Sequence, residues 1–152
     1  MKTRIANKFD LPAVIDMMKR FRECTPVEST SEMNNTEYFN KVFHHIILGG
    51  GIAIVAEQDD QVVGLIIGIH DNSVWEPNIK ITREMAFWVN QEYRGSRAGY
   101  MLLKHYTSEC EQLKQDGKID MYTMTTLENS PNLKLDRFGY QPVETVWVGG
   151  LV

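Results

Sequence analysis

Apolar and polar positions along this chain alternate with the periods of helices and strands. Apolar residues recur at three- and four-residue spacing in three stretches, which predicts amphipathic helices beginning near Pro12, Thr36 and Ala98. The third helix has an apolar face formed by Leu102, Leu103, Tyr106, Cys110 and Leu113. Asp10 and Thr36 are expected to cap the first two helices, and Gly117 is expected to end the third in a left-handed conformation.

Short apolar runs bounded by turn residues predict the strands. Residues 52–57 and 62–69 are separated by only four residues, a connection that can join only antiparallel strands. Both runs are apolar on both faces, so we expect this hairpin at the centre of a sheet covered on each side. The other strands are expected at residues 3–6, 79–90, 120–126 and 143–148, with a short helix that starts at Pro131. The resulting element order is β-α-α-β-β-β-α-β-α-β.

Length and composition narrow the class of protein. The chain has 152 residues, so a single domain over 1–152 is expected. Its net charge of −4 and the absence of a long basic run argue against a nucleic-acid partner. The longest apolar run, residues 62–69, is too short to span a membrane, and no signal peptide is recognised. With two cysteines and no metal-ligand spacing, we expect a cytoplasmic protein without a metal.

The junction between the strand at 79–90 and the third helix has the chemistry of an anion site. Its loop, Asn90 to Gly99, contains small residues and two cations, Arg94 and Arg97. The first N–H groups of a helix have no intrahelical partner and lie at the positive end of the helix dipole. Small residues let a phosphate approach these groups closely. We therefore predict that a diphosphate binds where the third helix begins.

Together with this loop, the element order resembles that of the GCN5-related N-acetyltransferase (GNAT) family over essentially the whole chain. The family pattern Q/R-x-x-G-x-G/A corresponds here to Arg94-Gly95-Ser96-Arg97-Ala98-Gly99, with Arg97 in place of the middle glycine. Arg97 must then hold an ordinary right-handed backbone. The closing stretch Asp136 to Tyr140 resembles the final helix and Gly-aromatic pair of the family. With Trp88 and Arg97, the chain is also similar to small family members from phage genomes.

The resemblance implies an α/β fold with a mixed, largely antiparallel sheet that is splayed between its fourth and fifth strands and flanked by helices. It also implies acetyl-coenzyme A as the co-substrate. The backbone of Phe87, Trp88 and Val89 would pair with the pantetheine arm as an added strand does. An N–H near Val89 would stabilise the oxyanion of the tetrahedral intermediate. The expected diphosphate contacts are Arg94, Gly95, Ser96, Arg97, Ala98, Gly99 and Tyr100. Asn129 is either a further coenzyme A contact or a helix cap before Pro131.

Acetyl transfer to an amine needs a base, because an alkyl ammonium titrates near pH 10. The family often places this base on the strand that precedes the loop, and Glu84 is the candidate, acting directly or through a water. The alternative is a solvated glutamate at a strand edge. The tyrosine that usually protonates the departing thiolate corresponds to Leu135, so Tyr122, Tyr140 or a water would take that role.

The acceptor is expected to be a primary amine of a small molecule, peptide or protein. Residues 24–35, the second helix and residues 71–78 would shape its pocket, with Trp75 as an apolar wall or packed beneath its loop. The acidic residues expected nearby are Glu28, Glu32, Asp71 and Glu76. A homodimer through Trp147 and Leu151 is one possibility; core packing of these residues is the other.

Two other functions remain open. The first is a binding module that retains coenzyme A without turnover, which Leu135 and Arg97 favour. The second is a nucleotide-binding domain with a parallel sheet, against which the hairpin at 52–69 argues.

Overall fold

A computed structural model describes residues 1–25 and 33–150, and five strands of this part form one sheet. The strands are β1 (Lys2–Ile5), β2 (Gly51–Gln58), β3 (Gln61–Asn72), β4 (Lys80–Val89) and β5 (Met121–Thr123). They lie side by side in chain order. The first three pairings are antiparallel, and β4 pairs with β5 in parallel. The predicted mixed, largely antiparallel sheet is therefore confirmed.

Helices cover both faces of this sheet. They are α1 (Leu11–Glu23), α2 (Thr36–His45) and α3 (Ala98–Gln115). A wider helical turn, Ile46–Gly50, extends α2, and single turns occur at Lys8–Asp10, Gln91–Tyr93 and Leu135–Phe138. Gly117 ends α3 with a φ of 71°, and the N–H of Lys118 reaches back to the carbonyl of Leu113, as the predicted cap requires.

Two apolar clusters flank the sheet because successive strand residues point to opposite faces. One cluster packs α1 and α2 against the sheet through residues that include Val14, Met17, Phe43, Val55, Leu65 and Ile67. The other packs α3 against the opposite face through residues that include Ile54, Ile66, Leu102, Tyr106 and Cys110. The β2–β3 hairpin contributes to both clusters, in agreement with its predicted central position.

β4 and β5 separate after a short pairing. Their contact runs only from Ile81 opposite Met121 to Arg83 opposite Thr123. Beyond this point β4 continues to Val89 with β3 on one side. The register of the β3–β4 pair shifts by one residue between Ile67 and Gly68. As a result, Glu84 lies opposite Gly68, and Met85 is the extra residue of a bulge. The splay expected between the fourth and fifth strands thus begins at Glu84.

Asp10 occupies the N-cap position of α1 as predicted, but without a side-chain cap, whereas the predicted cap of α2 at Thr36 is wrong. Asn7 and Asp10 form a capping box around the turn that precedes α1, and the Asp10 side chain makes no cap contact with α1. The Asp10 carboxylate accepts two hydrogen bonds from Arg4, at 2.8 and 2.9 Å. α2 is capped by the Asn35 side chain, which accepts from the Tyr38 N–H, and not by Thr36.

The two elements predicted at the C-terminal end are wrong. No helix starts at Pro131, and a single turn forms at Leu135–Phe138 after Lys134, whose φ is 53°. A left-handed residue at this point interrupts any helix that approaches it. Residues 143–148 form no strand within the described part of the chain, although their side chains alternate as expected. An alternating pattern becomes a strand only where a neighbouring edge supplies hydrogen bonds.

Candidate active site

Free backbone N–H groups lie at the start of α3. The Ser96 hydroxyl accepts from the Ala98 N–H at 3.2 Å, and the Met101 N–H donates to the Arg97 carbonyl at 3.0 Å. Between them, the N–H groups of Gly99 and Tyr100 meet no acceptor in the described residues. The loop from Arg94 to Arg97 is exposed, and Arg97 has the right-handed backbone that the sequence requires, with a φ of −78°. An anion can therefore reach this helix end from solvent.

The two arginines of the loop have different environments. Arg94 folds back on the end of β4, where its Nε donates to the Val89 carbonyl at 3.0 Å. Its guanidinium carbon lies 4.5 Å from the ring centroid of Trp88, within cation–π range. Arg97 is exposed and makes no ion pair with any described residue. Arg97 is consequently the cation that is available to a ligand, while Arg94 holds the loop against the strand.

Beyond Arg83, the outer edge of β4 carries backbone groups that pair with no other strand among the described residues. The Asn90 N–H donates to the Val63 carbonyl of β3 at 2.9 Å, so Asn90 and Trp88 direct their backbone groups towards β3. By strand alternation, the N–H and C=O groups of Phe87 and Val89 point away from β3, past the end of β5. The contact of Arg94 with the Val89 carbonyl agrees with this direction. A peptide-like ligand could pair with this edge as a strand would.

Glu84 is a buried carboxyl group at the point where the sheet splays. Its side chain is 8% exposed, so it is not a solvated glutamate at a strand edge. The Thr125 N–H, just beyond β5, donates to its Oε2 at 3.1 Å. Burial raises the pKa of Glu84 to about 7, against the smaller lowering effect of this hydrogen bond. A carboxyl group with such a pKa can both accept and release a proton near neutral pH.

Three tyrosines lie between α3 and the splayed strands. The Tyr106 hydroxyl is buried over Gly68 and has no hydrogen-bond partner in the described residues. Tyr122 donates its proton to the Glu111 carboxylate in a short hydrogen bond, and its ring packs edge-on against Tyr140 at 5.4 Å. The Tyr140 hydroxyl lies 2.9 Å from Thr107 Oγ1.

These tyrosines are held in their neutral form. Burial, followed by the Glu111 contact, raises the pKa of Tyr122 above its ordinary value. Burial raises the pKa of Tyr140 to about 12, and the nearby Glu84 charge adds to this effect. The same charge contributes to a raised pKa of Tyr106, whose first cause is again burial. Each phenol is therefore a proton donor rather than a base near neutral pH.

The other predicted site residues are dispersed. Asn129 donates through its side-chain amide to the Cys24 carbonyl at 2.9 Å, and it caps no helix, because none starts at Pro131. Trp75 is 92% exposed and does not pack beneath its loop. Asp71 pairs with Arg83 at 3.4 Å, while Glu28 and Glu32 lie outside the described residues.

A cavity of about 610 Å³ lies at the other end of the sheet from the loop that precedes α3. Its lining includes Ile5, Gly51, His70, Lys80 and Leu113. It therefore does not coincide with the loop and strand edge described above. In the described part of the chain, no three acidic, histidine or cysteine side chains converge as metal ligands. None of the helices in that part is both long and apolar enough to cross a membrane.

Sequence reasoning missed the residues that set the environment of Glu84. Thr125 and Tyr106 lie 41 and 22 positions away along the chain, and no local pattern connects them with a strand residue. The helical period correctly placed Tyr106 on the buried face of α3, but it could not show that the ring crosses Gly68. The glycines of β3 were the only signal, since a glycine inside a strand often marks a close approach.

Comparison with known proteins places this chain among acetyltransferases. The chain matches the model of the acetyltransferase (GNAT) family over residues 14–140. No curated protein sequence matches it significantly. The structure of a predicted acetyltransferase with acetyl-CoA from Clostridium acetobutylicum is similar, with a TM-score of 0.72 at 12% identity, covering 99% of this chain and 96% of that one.

Two further structures share the fold. A possible acetyltransferase from Clostridium difficile 630 superposes with a TM-score of 0.68 at 17% identity, covering 99% of this chain and 97% of that one. Ribosomal-protein-alanine N-acetyltransferase from Brucella melitensis biovar Abortus 2308 gives 0.66 at 9% identity, with coverages of 97% and 98%. At such low identities these similarities establish the fold alone.

Proposed function

The chain belongs to the GNAT acetyltransferase family, and from that premise we propose that it transfers the acetyl group of acetyl-coenzyme A to a primary amine. The observation that carries this proposal is a continuous route along β4. The route starts at the buried carboxyl group of Glu84, follows the outer strand edge at Phe87 and Val89, and ends at the free N–H groups of Gly99 and Tyr100. On this edge the Val89 carbonyl already accepts a hydrogen bond from Arg94. The candidate base, the strand edge and the anion site thus lie in the same order as the thioester, the pantetheine arm and the diphosphate of acetyl-coenzyme A.

The donor would bind by its backbone-like and anionic parts. The amide groups of the pantetheine arm pair with the outer edge of Phe87 and Val89, and the diphosphate accepts hydrogen bonds from the loop and the start of α3. Exposed Arg97 adds a positive charge beside these N–H groups. Each N–H to a charged oxygen contributes about 1.5–3 kcal/mol when it is shielded from water. Arg94 and Trp88 act by fixing the end of the strand.

The chemistry would proceed by direct attack in a ternary complex. The amine loses a proton to the Glu84 carboxylate, directly or through a water, and its nitrogen attacks the thioester carbonyl. A backbone N–H near Val89 would stabilise the oxyanion. The C–S bond then breaks, and the thiolate takes a proton from Tyr122, Tyr140 or water. Tyr140 is the better donor of the two phenols, because the proton of Tyr122 already engages Glu111.

Of the segments expected to shape the acceptor pocket, α2 and residues 71–78 lie in the described part of the chain and remain candidates, whereas residues 26–32 lie outside it. Asp71 and Glu76 would favour a cationic amine, although Asp71 already pairs with Arg83. We also propose that residues 1–152 form one domain, which is supported by the packing of α1, α2 and α3 on a single sheet.

A second candidate is a coenzyme A-binding module without turnover. It is supported by Leu135 at the position of the usual acid and by the engagement of Tyr122 with Glu111. A thiolate leaves readily without a general acid, and Glu84 retains the properties of a base, so transfer remains the better supported function.

Two measurements test the proposal. Calorimetry should show acetyl-coenzyme A binding that Arg97→Glu weakens at least tenfold, because an anion replaces the cation beside the diphosphate. Lys19→Glu, an equal charge change on the exposed side of α1, should leave the dissociation constant unchanged. An Arg97→Glu protein with the parental affinity would reject the loop assignment. Thiol release with a panel of amines then separates the two candidates, since binding without release across the panel favours the module.

A further inference from the structure

The cavity at the far end of the sheet, here called the distal cavity, takes no part in the proposed transfer. Its volume of about 610 Å³ lies within the range of roughly 300–1,000 Å³ that is usual for small-molecule sites. Its lining comes from the end of β1, the start of β2, the β3–β4 hairpin and the C-terminal end of α3 with the residues after it. None of it comes from the loop before α3, so a ligand there leaves the proposed donor site open.

One part of the distal cavity is apolar. Its lining includes four aliphatic residues, which are Ile5, Ile52, Leu113 and Ile119. Ile5 is 51% exposed, so the cavity leaves aliphatic surface in contact with water. A ligand with an apolar body would remove this surface from water, which is favourable in proportion to the area covered.

The two carboxylates in the lining already contact cations. Asp71 lies 3.4 Å from the Arg83 guanidinium, and Glu109 lies 3.5 Å from His105 Nε2, one turn away on α3. Arg83 and His105 are outside the lining. The negative side chains of the cavity are therefore engaged by neighbours and are not available to a cationic ligand.

The two lysines in the lining, Lys80 and Lys118, make no ion pair with any described residue. Backbone contacts bring them to the same wall. The Lys80 N–H donates to the Asp120 carboxylate at 2.8 Å, and the Asp120 N–H donates to the Lys80 carbonyl at 2.8 Å. Lys118 lies two residues before Asp120, and its own N–H donates to the Leu113 carbonyl at the end of α3. Two unpaired ammonium groups thus lie near each other at the cavity.

His70 adds a hydrogen-bonding group of fixed orientation. Its Nδ1 lies 2.8 Å from the hydroxyl of Thr82, a fully buried residue, while its Nε2 has no hydrogen bond to any described residue. Burial lowers the pKa of His70, and the nearby His45 lowers it further, so the ring is neutral near pH 7. When Nδ1 accepts the Thr82 proton, Nε2 carries a hydrogen that it can donate to an anion.

We propose that the distal cavity binds a small organic monocarboxylate with an apolar body. The carboxylate contacts the Lys80 and Lys118 ammonium groups and accepts a hydrogen bond from His70 Nε2. The apolar body covers the aliphatic part of the lining. A mainly apolar lining with a few convergent polar groups is typical of small-molecule sites. A metal ion does not fit, because no described acidic, histidine or cysteine side chains converge there as ligands.

Benzoate, with benzamide as its uncharged counterpart, tests the site in a titration followed by the imidazole NMR signals. We expect benzoate to shift the His70 signals saturably, with a dissociation constant on the order of 1 mM because so small a ligand makes few contacts. Benzamide should bind at least tenfold more weakly, since it lacks the charge. His44, whose Nδ1 contacts the Asn40 carbonyl within α2, should not respond. Absence of saturation up to 50 mM, or equal affinity for the two probes, would overturn the proposal.

Reversal of both lysine charges tests which side chains hold the carboxylate. Lys80→Glu with Lys118→Glu should weaken benzoate binding at least tenfold. Lys19→Glu with Lys114→Glu is the matched control, because it makes the same change in net charge at exposed residues outside the lining, and it should bind as the parent does. Parental affinity in the first double variant would overturn the proposal. The comparison of benzoate with benzamide needs no variant, so it decides the matter if that protein does not fold.

The loop before α3 is the other place where an anion could bind. Benzoate affinity should therefore be unchanged in Arg97→Glu, since Arg97 lies in that loop and outside the distal cavity. Loss of benzoate binding in this variant would place the probe at the loop, and the distal site would be wrong. None of these measurements needs acetyl-coenzyme A or an acceptor, so the proposal stands or falls independently of the proposed function.

Discussion

Replacement of Glu84 by glutamine should stabilise the protein relative to the parent, and this difference should grow as the pH rises. Burial raises the pKa of Glu84 from 4.5 to about 7 in the folded state. The folded protein therefore holds this proton more tightly than the unfolded chain does. The resulting stability is fully present below about pH 4.5 and is lost as the pH rises through 7. Glutamine keeps an oxygen that can accept from the Thr125 N–H and carries no charge at any pH.

The magnitude follows from the change in pKa. A tenfold change in an equilibrium constant corresponds to about 1.4 kcal/mol, so the ionised Glu84 costs about 3 kcal/mol of stability at pH 8. The difference in unfolding free energy between Glu84→Gln and the parent should thus increase by about 3 kcal/mol between pH 4 and pH 8. For a chain of this length that is a change of roughly 6–12 °C in Tm.

Urea unfolding followed by circular dichroism at half-unit pH intervals measures this difference. Comparing two pHs cancels any pH-independent effect of the amide itself. Glu92→Gln, in the exposed loop before α3, removes the same charge from a solvated position and should run parallel to the parent. If the curves of Glu84→Gln and the parent are also parallel, Glu84 is not the buried, proton-holding group that the structure describes.

The turnover of the parent protein should rise over the same pH range in which its stability falls. As the proposed base, Glu84 must be ionised, so turnover of the parent should rise with pH around 7. General bases typically contribute 10²–10⁴-fold, and we expect Glu84→Gln to lose about 100-fold at pH 7–8 with unchanged acetyl-coenzyme A affinity. The loss should shrink below pH 6, where the parent carboxyl group is protonated as well. Under the proposed mechanism, the charge that lowers the stability of the fold is the one that the reaction uses.

Two further substitutions test the packing that surrounds the site. Gly68→Ala should lower the free energy of unfolding by about 1–3 kcal/mol, since the new Cβ would clash with the Tyr106 hydroxyl. Adding Tyr106→Phe should recover part of this loss. If the effects of the two substitutions on the unfolding free energy are simply additive, the contact is contradicted. Burial acts to raise the pKa of Asp10. Hydrogen bonds from Arg4 and from the Asn7 N–H act in the opposite direction and outweigh it, so the net pKa lies below its usual range. Asp10→Asn should therefore lower the free energy of unfolding by about 1–3 kcal/mol at pH 7, and this difference from the parent should disappear as the pH falls below 4. A difference that stays constant from pH 2 to 7 in urea unfolding would show that the ion pair with Arg4 does not stabilise the fold.

The sequence alone determined the features that depend on neighbouring residues. Helical and strand periods predicted all three long helices and the central hairpin. The small residues and arginines of the loop predicted an exposed helix start, and the loop with Arg97 in a right-handed conformation is confirmed. These features follow from local geometry, because a period or a cap involves residues within one turn of each other. The resemblance to acetyltransferases rested on the same local signals.

Tertiary structure decided what lies next to what. Glu84 has a raised pKa because tertiary packing buries it where the sheet splays, and this effect outweighs the hydrogen bond from the Thr125 N–H. The sequence could only place Glu84 on a strand. Residues 143–148 have the pattern of a strand, yet they form none in the single chain, because strand formation needs a partner edge that local pattern does not supply. Burial and pairing depend on residues brought together from far apart in the chain, and a one-dimensional pattern carries no record of that proximity.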